Sequence, residues 1–208
     1  VRRDKLRRWK AFADWLTGDE GPVPDFASLR DRLAPAAAEA EPLVVIQPFS
    51  AVPEKQSPPD LYRRIVAALP EGTRVAVTGA PADRERNPGY EDLLALDNVE
   101  FDASAFQELV PRLRAAKLVI SVDTACMHLA VVAGAPTLCL ASAAYVGEIT
   151  PYDPDLAPDN VRFLYTPMPC EGCLGDCILP AEDGMFPCVA RLDGDAVMDA
   201  VSKMLADG

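Results

Sequence analysis

The stretch from Ser121 to His128, SVDTACMH, puts a carboxylate, a hydroxyl and the chain's one histidine directly after an apolar run. A turn of this kind, from strand into helix, can hold an anion. The first N–H groups of a helix have no partner within it, and the helix dipole favours negative charge at that end. Phosphate is the anion such sites take most readily. Asp123 and Thr124 stand at the turn, Ala125 is small enough to let a ligand near the backbone, and His128 follows about one helical turn later. A plainer reading is equally open from local chemistry: Asp123 or Thr124 caps the helix, and His128 is a satisfied, partly buried histidine.

A second group of chemically capable residues lies near the end of the chain. Cys170, Cys173, Cys177 and Cys188 fall in CEGCLGDCILPAEDGMFPC, a C-x2-C-x3-C-x10-C spacing. Four thiolates this close in sequence can wrap a tetrahedral zinc or iron ion, and Gly172 and Gly175 give the loop the freedom a knuckle needs. Two disulfides or four free thiols are the alternatives, with disulfides the poorer fit in a chain that shows no secretion signal. A metal here would be structural, with every position filled by protein, pinning the last loop and helix to the body. Cys126 and Cys139 lie in apolar segments and read as small buried hydrophobes.

The elements that must carry these residues alternate. LVVIQ, TRVAVTG, NVEF, LVISV, APTLCLA and NVRFLY read as six strands, several of them continuous apolar runs. Between them PPDLYRRIVAAL reads as a helix stopped by Pro70-Glu71-Gly72. The polar stretch up to residue 97 is expected to hold one helix. SAFQELVPRLRAA is expected to start with Ser104 and Gln107 in a capping box and to bend at Pro111. TACMHLAVVAG closes with Gly134 as its C′ residue. DGDAVMDAVSKMLADG forms a last helix capped by Asp193 or Asp195. Alternating β and α with apolar strands implies an α/β fold: a parallel sheet covered by helices on both faces. Ahead of it, residues 1–17 read as a helix with Trp9, Phe12, Ala13 and Leu16 at helical spacing. TGDEGPVP breaks it, DFASLRDRLA is a second short helix, and PAAAEAEP is a linker. The domain reading is therefore a helical segment and linker over 1–42, the α/β domain over 43–166, and a Cys-rich clasp with the closing helix over 167–208.

The 208 residues are enough for one full core, and half of them are hydrophobic. The net charge of −12 is uneven: six basic residues and one acid stand in the first ten, about +5, so the rest carries about −17. A body that acidic repels nucleic acid, which is excluded as a partner. The basic start could touch a membrane surface or an acidic partner, or be a solvated helix turn. No apolar run is long enough to span a membrane, and no signal peptide is visible. A cytoplasmic location is expected, with peripheral association at the inner face of the membrane as an option.

SVDTACMHLAVVAGAPTLCL resembles the nucleotide-binding motif of glycosyltransferase family 9, the ADP-heptose lipopolysaccharide heptosyltransferases. The motif, roughly D-T-G-x-x-H-L-A-A-A-x-G-x-P-T, matches at Asp123, Thr124, His128, Leu129, Ala130, Gly134, Pro136 and Thr137. VVIQPFSAVPEKQSPPDLYRRIVAAL resembles the family's first strand, its P-G-x-S-like loop with Ser50, and a phosphate-contacting lysine at Lys55. RVAVTGAPADRE resembles the loop that holds the nucleoside, through Gly79 and with Glu85 as a ribose contact. TPYDP resembles the Pro-Tyr turn after the fifth strand. The likeness runs over residues 43–208.

The resemblance implies a Rossmann-like sheet forming the C-terminal half of a GT-B fold. It implies a nucleotide-sugar donor, ADP-linked, and transfer of heptose or a related sugar to a glycan or protein acceptor. Thr124 and Ala125 would offer backbone N–H groups to the diphosphate, Lys55 would neutralise phosphate charge, and Asp123 and His128 would orient the loop or the sugar. The chain departs from the pattern in three places. D-T-G has become Asp123-Thr124-Ala125, the P-G-x-S loop has become Pro48-Phe49-Ser50, and the loop after the fifth strand has become ASAAYVGEI. Complete members carry a second Rossmann domain with the catalytic carboxylate and acceptor site, which residues 1–42 cannot build. The chain therefore reads as the donor half of a longer enzyme, partnered by an N-terminal domain or by copies of itself. The alternative is a non-catalytic module kept for assembly or partner binding.

Overall fold

The computed structural model describes residues 4–22 and 26–207. Parts of the expected first two helices, at residues 1–3 and at Asp25, and the final Gly208 lie outside the described residues.

Six strands form one parallel sheet: β1 (Leu43–Gln47), β2 (Arg74–Thr78), β3 (Val99–Asp102), β4 (Leu118–Val122), β5 (Thr137–Leu140) and β6 (Val161–Leu164). Their order is β3-β2-β1-β4-β5-β6, with every neighbouring pair parallel. Two helices precede the sheet, α1 (Lys5–Thr17) and α2 (Phe26–Arg30). Along the sheet follow α3 (Pro59–Ala67), α4 (Pro81–Arg86), α5 (Glu91–Leu94), α6 (Phe106–Ala115) and α7 (Ala125–Ala133). The chain ends in α8 (Pro187–Ala190) and α9 (Gly194–Asp207). This is the α/β, Rossmann-like fold class expected from the alternating pattern.

Both faces of the sheet are covered, because successive side chains of a strand point to opposite sides. Val44 and Ile46 of β1, with Val75, Val77 and Ile120, pack under Tyr62 and Ile65 of α3, Leu93 of α5 and Val197 and Val201 of α9. Leu43 and Val45, with Ala76 and Val119, pack under Leu109 and Leu113 of α6 and Ala130 and Ala133 of α7. Gly134 ends α7 at φ +84°, in the left-handed region where glycine carries no Cβ penalty. Cys126 and Cys139 are buried, as expected of small hydrophobes.

Two local expectations are corrected. The polar stretch before residue 97 holds α4, a short 3-10 turn at Pro88–Tyr90 and α5, rather than one helix. Helix α6 starts two residues after Ser104. Ser104 donates its N–H to Asp102 Oδ1 at 2.9 Å, and Glu108 takes the N–H of Ala105 at 3.3 Å, so the reciprocal carboxylate is Glu108 and not Gln107. Helix α1 forms as its spacing predicts, with Trp9, Phe12, Trp15 and Leu16 exposed. The helix is held to the body by charge, through Arg7 to Asp153 and Asp155 and Arg8 to Glu148. Among the described residues no helix is long and apolar enough to cross a membrane.

Candidate functional site

The strand order reverses direction between β1 and β4, the place where open parallel sheets bind ligands outside the carboxyl ends of their strands. A cavity of about 750 Å³ opens there. Its floor is Gln47 at the end of β1, Ser50 and Lys55 after it, and Asp123, Thr124, Ala125 and Cys126 after β4. Its far wall is Thr78, Gly79, Ala80, Pro81, Asp83 and Arg86 after β2, with Ala103 to Phe106 after β3.

The side chains at the turn are spent on each other. Lys55 Nζ lies 2.7 Å from the Asp123 carbonyl oxygen and 2.8 Å from Asp123 Oδ1, and both residues are buried. Ser142 donates to Asp123 Oδ2 at 3.3 Å. Burial pushes the Asp123 carboxyl above the ordinary carboxylate value, against the pull of Lys55 and Ser142. Thr124 Oγ1 donates to Gln47 Oε1 at 2.8 Å, and Gln47 Nε2 donates to the Phe49 carbonyl at 2.6 Å. Thr124 therefore occupies the N-cap position of α7 without capping it. The N–H of His128 closes back on the Thr124 carbonyl at 3.3 Å, and Ala125 and Cys126, ahead of it, border the cavity. Polar backbone at a helix start is thus left facing open space, beside a buried ammonium. An ammonium has three donors; the Asp123 carbonyl takes one of them, and the Asp123 carboxylate pairs with its charge. A helix start and a buried cation placed together can hold an anion.

Two of the sequence departures have physical explanations. Phe49, in place of a small loop residue, turns inward: it is 1% exposed and packs at a tilt against Tyr90, ring centroids 5.0 Å apart. The loop then still presents Ser50 to the cavity. Gly79 is required by the same packing, because a Cβ there would stand 2.6 Å from the Phe49 ring. Ala125 adopts the first helical position and needs no glycine for its backbone.

Of the residues singled out from sequence, Ser50, Lys55, Gly79, Asp123, Thr124 and Ala125 come together around the cavity. Glu85 is exposed on α4, while Asp83 and Arg86 of that helix border the cavity. His128 lies on the side of α7 toward the Pro-Tyr turn, its Nδ1 2.5 Å from the Tyr152 hydroxyl and its ring stacked on Tyr152. Burial holds its pKa below the ordinary histidine value. Three cavity-related residues were not visible in the sequence: Gln47, Phe106 and Tyr145. Phe106 is half exposed at the rim. The Tyr145 ring lies over the Lys55 ammonium at 4.6 Å. Gln47 alone left a trace, as a polar residue ending an apolar strand.

The four clustered cysteines sit on the loop between β6 and α9, with Cys188 inside α8. Cys170 Sγ and Cys177 Sγ are 3.8 Å apart. Burial, then Cys177 and Cys173, push the Cys170 thiol above its usual value, and Cys173 is likewise felt by Cys188. Among the described residues no three His, Cys, Asp or Glu side chains are grouped closely enough to hold a metal ion as placed.

The sheet order and the cavity at its switch point define a doubly wound, Rossmann-like domain. The chain belongs to glycosyltransferase family 9, the heptosyltransferase family, whose model matches residues 7–168. A search of the curated proteins finds no match. Among solved structures the chain is similar to the E. coli ADP-heptose lipopolysaccharide heptosyltransferase II, with 16% identity and a TM-score of 0.59 over 88% of this chain and 51% of that one. It is similar to the E. coli heptosyltransferase WaaC with ADP, at 20% identity and TM-score 0.59 over 95% of this chain and 56% of that one. It is also similar to the iron-containing dodecameric glycosyltransferase TibC from enterotoxigenic E. coli, at 18% identity and TM-score 0.60 over 85% and 48%. The chain spans about half the length of these structures.

Proposed function

We propose that this chain supplies the donor site of a family 9 glycosyltransferase and takes a nucleotide-activated sugar, ADP-linked. The observation that carries the reading is the uncapped start of α7 beside the buried Lys55, at the bottom of the cavity. The diphosphate would accept from the N–H groups of Ala125 and Cys126 and from the Lys55 ammonium. Fixed donors and a buried cation of this kind stabilise a departing nucleoside diphosphate, because its charge develops where they already point. Gly79, Ala80 and Phe106 give the nucleoside a small, partly apolar shelf, and Asp83 and Arg86 are its nearest charged neighbours in the wall. ADP is the nucleotide named with WaaC, and TibC is named in complex with ADP-D-beta-D-heptose, which supports the same donor class here. Heptose or a related sugar, a glycan or protein acceptor, and work at the cytoplasmic face of the membrane complete the proposal. The acceptor side would come from a further domain or from a second copy of the chain. Calorimetric titration with ADP, UDP and GDP tests it. Saturable binding with a preference for ADP is expected, and no binding of any of the three would remove the reading and favour a module kept for assembly.

A second reading concerns the cysteine loop. Zn–S bonds of about 2.3 Å in a tetrahedron place sulfurs roughly 3.8 Å apart. The Cys170 and Cys177 sulfurs stand 3.8 Å apart, a separation compatible with one such edge. Cys173 and Cys188 would have to close in to complete the shell, as thiolates. Zinc or iron held there would lock the loop and α8 against the body and would leave no coordination site for substrate. Elemental analysis of the purified chain tests this: about one zinc or iron per chain is expected, and none would remove the reading.

A further inference from the structure

The cysteine loop and the donor corner touch through one short segment, the 3-10 turn Ala143–Tyr145 that follows β5. The loop grips this turn along its backbone. Gly172 donates its N–H to the Ala143 carbonyl and Leu174 donates to the Ala144 carbonyl, each at 2.8 Å. Ala143 is buried in one apolar cluster with Cys188, Val189 and Met168. Phe186 adds a third tie, its N–H donating to the Glu54 carbonyl at 2.9 Å, one residue before Lys55. A Cβ at Gly175 would lie 3.9 Å from the Tyr145 hydroxyl and 3.7 Å from the Phe186 ring, so the loop passes close beside Tyr145 at this glycine. Tyr145, gripped in this way, lays its ring over the Lys55 ammonium.

We propose that Tyr145 is a positioning residue for the donor lysine, and that the cysteine loop holds Tyr145 in place, so that order in the loop sets nucleotide affinity. A lysine on a four-carbon stem loses much rotamer freedom when fixed. Here the ordering precedes the ligand: Asp123 holds the ammonium from below and the aromatic face of Tyr145 covers it, an attraction between cation and ring quadrupole. A nucleotide then meets a cation already in place, which strengthens binding without a new contact. Tyr145 itself touches no donor in this account. Its effect runs through Lys55 and needs the ring rather than the hydroxyl.

This inference rests on the donor-site reading, and one set of titrations separates the two. ADP affinity is measured for the unaltered chain, Tyr145→Phe, Tyr145→Leu, Lys55→Ala and the Lys55→Ala, Tyr145→Leu double variant, with thermal melts to confirm folding. Tyr145→Leu keeps apolar bulk but removes the aromatic face. It should weaken ADP binding about tenfold, while Tyr145→Phe stays within about twofold. In the Lys55→Ala background the Tyr145→Leu change should cost nothing further, since the residue it positions is gone. Equal affinity of Tyr145→Leu and the unaltered chain would overturn the inference and leave the donor site standing. So would a loss that simply multiplies with that of Lys55→Ala. Absence of ADP binding to the unaltered chain would remove the donor site and the inference with it.

Discussion

Helices α7 and α9 begin in opposite ways. At α9 the Asp193 carboxylate takes the N–H groups of Asp195 at 2.9 Å and Ala196 at 3.2 Å. At α7 a carboxylate and a hydroxyl stand in the same place, yet neither caps the helix. Asp123 is turned onto Lys55 and Ser142, and Thr124 onto Gln47. The first helix start is closed for stability. The second is kept open, with its capping chemistry used to hold a cation beside it. The difference teaches that a capping residue type at a helix start does not decide the role; its partners do.

Substitutions that act on one helix start and not the other sharpen this contrast. The largest effect is expected from Asp123→Ala, which leaves the Lys55 ammonium buried without its partner. Breaking such a pair costs about 3–5 kcal/mol, and urea unfolding should register it; a loss below about 1 kcal/mol would mean the pair is not buried in solution. Asp193→Ala should cost about 1 kcal/mol, the usual value of a lost cap, and should leave ADP affinity unchanged. A weakened affinity in that variant would break the separation between the two helices.

The smallest effect concerns His128 on α7. Burial holds its pKa below 6.5, so between the folded value and 6.5 the unfolded chain binds more protons than the folded one. Stability from this group is therefore full above about pH 6.5 and falls as the pH drops through the window toward the folded value. His128 is the chain's one histidine, so His128→Phe should flatten thermal stability between about pH 7.5 and 5.5. An unchanged slope in that variant would place the titrating group elsewhere.

The sequence shows most of the sheet for a simple reason. Strands buried on both faces read as continuous apolar runs, and LVVIQ, RVAVT and LVISV stand out against their polar flanks. The start of α6 was misplaced because Ser104, a good cap by type, has its backbone drawn to Asp102 instead. The stripe on α1 has helical spacing, but spacing cannot say whether a surface exists to cover it, and here Trp9, Phe12 and Trp15 stay in solvent. In the site, Lys55, Asp123 and Thr124 were legible through their motifs. Gln47, Phe106 and Tyr145 were not, because the sheet order alone brings residue 47 to residue 124 and residue 145 to residue 55. The sequence cannot display a pairing set by a crossover.

The central claim is that the open start of α7 takes the diphosphate of a nucleotide. Its most direct test is ADP titration of the isotope-labelled chain, followed through backbone amide resonances. The account predicts saturable shifts of the Ala125 and Cys126 amides, with the capped amides of Asp195 and Ala196 unmoved. Saturable shifts confined to other parts of the chain, or none at all, would contradict it.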